Sequence, residues 1–170
     1  MGHLDHKHHA PKSVACMVIT ISDTRTEETD VSGKYLCDTL KTNGYQIAHY
    51  SIVKDEPGDI QALLRQGIDS EGIQVILCHG GTGISQRDRS YEAVVQLLEK
   101  QLDGFGELFR MLSYQDIGSA AMMSRAVAGI AGGTVIFSMP GSKSAVALAM
   151  EKLILPELGH LVWELQKHVA

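Results

Sequence analysis

The sequence lacks several features, and each absence excludes a class of protein. It has no apolar run approaching the roughly 20 residues that a membrane-spanning helix needs. No secretory apolar region opens it either. A soluble, cytoplasmic chain with no membrane partner is expected. It has no long basic run, and the formal charge is −5. Nucleic-acid binding rests on a clustered positive surface, so no nucleic acid is expected as a partner, although one nucleotide would need only a local site. Cysteine is scarce, odd in number and widely spaced: Cys16, Cys37 and Cys78, with no CxxC pair. Buried, reduced thiols in a reducing compartment are the reading these three support. Two phosphate-binding signatures are also missing, since neither GxxxxGK[ST] nor GxGxxG occurs.

The composition that remains is that of a globular protein, with 44% hydrophobic and 21% charged residues in 170. A chain of this size buries roughly 70% of its unfolded surface as one domain, without a disulfide or metal staple. Residues 1–12 read as a disordered tail ahead of a domain spanning 13–170. The tail holds His3, His6, His8 and His9, which could chelate a divalent metal or form only a flexible extension.

From Val14 to Ile21 the chain is nearly continuously apolar and β-branched, as a strand covered on both faces would be. Polar residues Ser22 to Asp30 follow as a loop. Leu36, Cys37 and Leu40 then form a helical stripe stopped by Asn43-Gly44. Tyr45–Val53 reads as a strand, Ile60 to Ile68 as a helix entered through Pro57, and Ile73–Cys78 as a third strand. The spacing of Tyr91, Val94, Val95, Leu98 and Leu102 predicts a further helix capped by Ser90. Phe105–Gly118 and the Ala/Met-rich Ser119–Ala131 both read as helical. Thr134–Met139 reads as a strand, and the stripe from Val146 to Leu165 as a helix interrupted by Pro156. Strands alternating with helices predict a three-layer α/β/α domain with a mostly parallel central sheet.

In such sheets ligands bind beyond the carboxyl ends of the strands. That rule selects the loops holding Ser22 to Arg25, Lys54 to Glu56, Gly80 to Asp88 and Pro140 to Lys143. Gly80, Gly81, Thr82 and Gly83 place three glycines in four residues after a strand. Their N–H groups and a nearby helix start could hold a phosphate or carboxylate, or the loop could be only a tight turn. Asp88 follows five residues later, beside Arg87 and Arg89, while Asp23 and Asp55 lie at the ends of the first two strands. Converging carboxylates beside a phosphate loop suit Mg²⁺, although each Asp alone could be a solvated turn residue. Pro140, Gly141 and Ser142 repeat the design, with Ser142 placed to cap the last helix. Lys143 could neutralise phosphate or lie in solvent. His79 could act as an acid or base, or be held by neighbouring polar groups.

The segments ITISDTRTEETDVSG, HGGTGISQRDRSYEAV, GFGELFRMLSYQDIGSAAMMSRAVAG and FSMPGSKSAVALAMEKLILPELGHL, in this order, resemble the MoaB/MogA family of molybdenum-cofactor biosynthesis proteins. GFGELFRMLSY and LILPELGHL look more like the MoaB branch. The resemblance implies the three-layer fold and binding of molybdopterin. It also implies adenylylation of molybdopterin with ATP and Mg²⁺, or, as the alternative, a non-catalytic carrier of the pterin. It assigns Asp55 and Asp88 to the metal and reacting phosphate, and Gly80, Gly81, Thr82 and Gly83 to a phosphate loop. Ser22, Asp23, Glu107, Pro140, Gly141 and Ser142 would hold pterin or nucleotide. A homotrimer, or a homohexamer built as a dimer of trimers, is implied as well. The chain departs from the family pattern at Cys78-His79, where hydroxyl residues are frequent, and at Arg89-Ser90-Tyr91, where Val-Thr-Pro is common.

Overall fold

The computed structural model describes residues 14–167, so the histidine-rich tail and its possible metal chelation lie outside the described residues. β1 (Ala15–Ile21), α1 (Val31–Thr42), β2 (Gln46–Val53), α2 (Pro57–Ile68) and β3 (Val75–His79) come first. They are followed by α3 (Ser90–Val95), β4 (Lys100–Gln101), α4 (Asp103–Ile117) and a 3₁₀ turn over Gly118–Met123. β5 (Val127–Ala131), β6 (Thr134–Met139), α5 (Lys143–Ala149), a π turn over Met150–Ile154 and α6 (Leu155–Gln166) complete the domain.

One six-stranded sheet runs in the order β2-β1-β3-β6-β5-β4. β2, β1, β3 and β6 are mutually parallel, whereas β5 and β4 add an antiparallel edge. Successive side chains of a strand point to opposite faces, and β1 divides accordingly. Cys16 and Val18 enter a core with Leu36 and Leu40 of α1, Phe109 of α4 and Val146 of α5. Met17, Ile19 and Ile21 enter the other core, with Ile60 and Leu64 of α2 and Val94 of α3. The expected three-layer α/β/α domain is observed. After β2, β1, β3 and β6 the chain leaves for alternate faces, which opens crevices between the loops at their carboxyl ends.

Two expectations are corrected. Ser119–Ala131 is not a helix: a 3₁₀ turn ends at Met123, and Val127–Ala131 pairs antiparallel with β6. Pairing with the open edge of β6 satisfies its backbone, a gain that outweighs the helix propensity of Ala and Met. The helix entered at Ser90 stops at Val95, and Leu102 lies beyond β4, just ahead of α4. Pro156 interrupts the regular α-helix, as expected, while the chain stays helical on either side. It has no N–H to give, and the π turn before it, with Leu155 N–H bonded to the Met150 carbonyl, carries the chain through. Ile154, Leu158 and Val162 stay buried on one stripe. Among the described residues no helix is long and apolar enough to cross a membrane.

Candidate functional site

The loop leaving β3 lies between the ends of β1, β2 and β6. Gly80 N–H donates to the Met139 carbonyl (3.0 Å), prolonging the β3–β6 pairing. The Ser90 hydroxyl donates to the Gly80 carbonyl (2.8 Å) and Ser90 N–H to that of Gly81 (3.1 Å), which draws the loop into a closed turn. Among the described residues no protein acceptor takes the N–H groups of Gly81, Thr82 or Gly83. Gly81 has φ +63°, and a Cβ there would stand 2.3 Å from Asp55 Oδ2. Only glycine lets the loop close over that carboxylate. A Cβ on Gly83 would likewise meet Asp88 Oδ2 at 2.6 Å.

Asp55 and Asp88 therefore flank the glycine turn. Asp55 Oδ1 accepts from Arg89 N–H (3.1 Å), and Asp88 Oδ2 accepts from Ser85 N–H (2.9 Å). The other oxygen of each carboxylate receives no hydrogen bond from the described residues. The expected use of a helix start is corrected here. α3 begins seven residues after Gly83 and is only six residues long, and the N–H of its N-cap residue, Arg89, is occupied by the protein's own Asp55. Ser90 is not the cap; its hydroxyl fastens the glycine turn instead.

Asp23 Oδ1 accepts from Asp55 N–H (3.2 Å), and its Oδ2 takes two hydrogen bonds from Arg87 (3.2 and 2.8 Å). Arg87 also donates to Glu56 (2.7 Å), crossing the mouth between three loops. Burial raises the Asp55 pKa; the Arg89 N–H opposes the rise, and the charges of Asp88 and Asp23 add to it. Asp23 is shifted the other way, chiefly by the Arg87 hydrogen bonds and then by the Asp55 N–H.

Beneath this cluster lies a buried polar group that the sequence did not reveal. Asp30, 1% exposed, accepts four hydrogen bonds. Arg25 (3.0 Å) and Gly33 N–H (3.0 Å) reach Oδ1; the Tyr50 hydroxyl (2.7 Å) and the Thr20 hydroxyl reach Oδ2. Burial acts to raise the Asp30 pKa, but the Thr20, Gly33 and Tyr50 donors outweigh it and hold the group at about 2. The Thr20 proton goes to Asp30, so His79 Nε2–H must donate to Thr20 (2.7 Å). That fixes the tautomer and leaves Nδ1 buried without a partner. Burial pushes His79 down to about 4, against the pull of Asp30. It is a held structural histidine.

Two clefts are bordered by the segments on either side of the glycine turn, one by residues 84–89 that follow it and one by Pro140 and Ser142. One, of about 590 Å³, is lined by Ser85, Asp88, Arg89, Glu92 and Arg125 among others. The other, of about 210 Å³, has Phe109, Leu148 and Ala145 as apolar wall and Ser113, Asp116 and Ser142 as polar rim. Arg125 donates to the Thr82 (3.1 Å) and Asp88 (2.9 Å) carbonyls and so staples the loop at both ends. It stands just before a strand read as helix, which hid its role.

Of the residues expected at the site, Asp23, Asp55, Gly80, Gly81, Thr82, Gly83 and Asp88 are brought together. Pro140, Gly141 and Ser142 adjoin them: a Cβ on Gly141 would lie 3.0 Å from Gly80 Cα. Ser142 caps α5 through Ala145 N–H (3.3 Å) and lines the smaller cleft. Ser22 turns its hydroxyl to the N–H groups of Thr24 and Arg25 in its own loop (3.3 and 3.1 Å). Glu107 is exposed on α4 and lines neither cleft.

Fold and site together define a doubly wound α/β domain with an anion-ready turn and paired carboxylates at its strand ends. Residues 17–160 match the molybdenum-cofactor biosynthesis family described as a probable molybdopterin binding domain, and the chain belongs to that family. It is 55% identical over 168 residues to molybdenum cofactor biosynthesis protein B of Bacillus cereus, covering 98% of this chain and 99% of that protein. A crystal structure of molybdenum cofactor biosynthesis protein B superposes with TM-score 0.91 at 56% identity, covering 94% and 100% of the two chains. The tungsten cofactor synthesizing protein MoaB from Pyrococcus furiosus gives TM-score 0.82 at 37% identity, covering 91% and 98%. The MoaB resemblance read from the sequence is therefore borne out.

Proposed function

We propose that the chain binds molybdopterin and adenylylates it with ATP. A terminal phosphate oxygen of molybdopterin attacks the α-phosphorus of ATP. A P–O bond forms there, the α–β bridging P–O bond breaks, and pyrophosphate leaves. The observation carrying this reading is the pair Asp55 and Asp88, set on either side of the free Gly81–Gly83 N–H groups, each with one oxygen unbonded.

Such a transfer asks for positioning and charge stabilisation rather than a protein nucleophile. The Gly81, Thr82 and Gly83 N–H groups are suited to phosphate oxygens. Arg89 and Arg125 on the larger cleft suit a polyphosphate, and the apolar wall of the smaller cleft suits a flat pterin. Among the described residues no three metal-ligating side chains form a group. Two carboxylates with substrate phosphates nevertheless match the usual Mg²⁺ donor set, and Asp55 and Asp88 would hold the ion. When bound, it would neutralise phosphate charge.

Pyrophosphate release from ATP that depends on molybdopterin tests the proposal. Asp88→Asn at saturating Mg²⁺ should reduce it by about 100-fold or more, and wild-type turnover in that variant would sink the assignment. The carrier reading draws on the MoaB-like segments GFGELFRMLSY and LILPELGHL. Tight molybdopterin binding by the wild-type protein with no pyrophosphate release would favour it.

A further inference from the structure

The loop after β1 is tied at two points to loops that border the two clefts. At Asp23 it is tied to the far side of the mouth, through Asp55 N–H (3.2 Å) and Arg87 (2.8 Å). Two residues later Arg25 is tied to the near side. One guanidinium nitrogen donates to buried Asp30 (3.0 Å) and the other to the Gly141 carbonyl (3.1 Å). The Ser32 hydroxyl, at the start of α1, donates to that same carbonyl (2.9 Å). Ser22 stiffens the intervening turn by accepting from the N–H groups of Thr24 and Arg25.

These contacts divide the labour among the loops. The loops after β2 and β3 bind each other through Arg87, Glu56 and Asp55. The loop after β6 is gripped from the first loop by Arg25 and from α1 by Ser32. Asp30 gives the grip a fixed base, because it is buried and holds four donors. A bidentate guanidinium is the side chain able to span an anion and a carbonyl in one plane.

We propose that Arg25, backed by Asp30 and Ser32, is a positioning residue that sets the separation between the two clefts by holding the Gly141 carbonyl. The inference rests on the two-substrate reading above, in which each cleft takes one reactant. Transfer between two bound molecules depends steeply on their spacing, whereas binding of either one alone does not. Loss of the clamp should therefore lower turnover without weakening either ligand separately.

The test uses the full chain. For Arg25→Ala and Arg25→Lys, the Kd of ATP alone and of molybdopterin alone is measured by calorimetry, and pyrophosphate release is measured with both saturating. Both variants should bind each ligand within about threefold of wild type and turn over at least tenfold more slowly. Lysine keeps the charge near Asp30 but cannot form the fork, so it should not rescue. Hydrogen exchange supplies a readout independent of turnover: amides 141–142 should exchange at least tenfold faster in Arg25→Ala, and faster in Ser32→Ala. Wild-type turnover in Arg25→Ala, or loss of single-ligand affinity in step with turnover, overturns the clamp and leaves the transferase reading standing. If the wild-type protein releases no pyrophosphate, the transferase reading fails instead. The clamp is then decided by exchange, and unchanged protection at 141–142 overturns it.

Discussion

His79 is buried in its neutral form with Nδ1 unpaired, and this has a consequence in acid. Its ordinary value near 6.5 falls to about 4 in the fold. Between those limits the unfolded chain binds a proton that the folded chain refuses, so stability rises with pH across that window. Asp30, lowered from 3.8 to about 2, acts in the same direction lower down. Its contribution is complete above about 3.8 and is lost towards 2. The folded protein should hold its stability above about pH 6.5 and lose on the order of 3 kcal/mol on the way to pH 4 from His79 alone. Denaturant midpoints at pH 7, 5.5 and 4.5 check this. In His79→Asn the slope between those points should flatten, whatever the midpoint at pH 7. A slope as steep as in the wild type would show that another group carries it.

At the scale of elements, most of the fold was legible because its inner parallel strands, β1, β3 and β6, are short, mostly apolar and buried on both sides. The loops at their carboxyl ends followed from the alternation of strand and helix. The positions of Asp55 and Asp88 were legible for the same reason: each lies in a polar loop that follows a strand, Asp55 two residues and Asp88 nine residues past its end. Asp30, Arg25 and Arg125 were not: Arg25 and Asp30 are only five residues apart, but Thr20, Tyr50, Gly141, Thr82 and Asp88, which complete their contacts, lie 10 to 116 residues from them. The β5–β6 hairpin was missed although its signal is present. Ala131 pairs with Thr134 across Gly132-Gly133, with φ +56° and +79°, the two-residue turn that needs positive φ at both positions. The Ala and Met residues before it masked the signal. The hairpin yields a graded prediction. Gly133→Ala meets open space, so it should cost only the left-handed conformation, about 1–2 kcal/mol. Gly132→Ala adds a Cβ 2.5 Å from Ile68 Cγ2 and should cost more. Chemical denaturation of the two variants orders them, and equal losses would mean that Ile68 gives way freely.

For the whole molecule, what one chain leaves uncovered is informative. Met111, Tyr114 and Ile117 on α4, with Met122 and Met123 on the adjoining 3₁₀ turn, are all at least half exposed. Large apolar side chains grouped in this way mark an interaction surface more often than open water, and the methionines are adaptable packing partners. We propose that this face joins protomers of a homotrimer, or of a homohexamer assembled from two trimers. A closed ring needs a face that meets a different patch of the next copy. One substitution on this face should therefore disrupt each such contact in the ring. Light scattering coupled to gel filtration should give three or six times the 18.5 kDa chain mass for the wild-type protein. Met122→Glu, placed where the side chain is 80% exposed, should leave the monomer folded while placing a charge in the interface, and the mass should fall towards one chain. A wild-type monomer, or an unchanged assembly in both Met122→Glu and Met111→Glu, would remove this face from the interface.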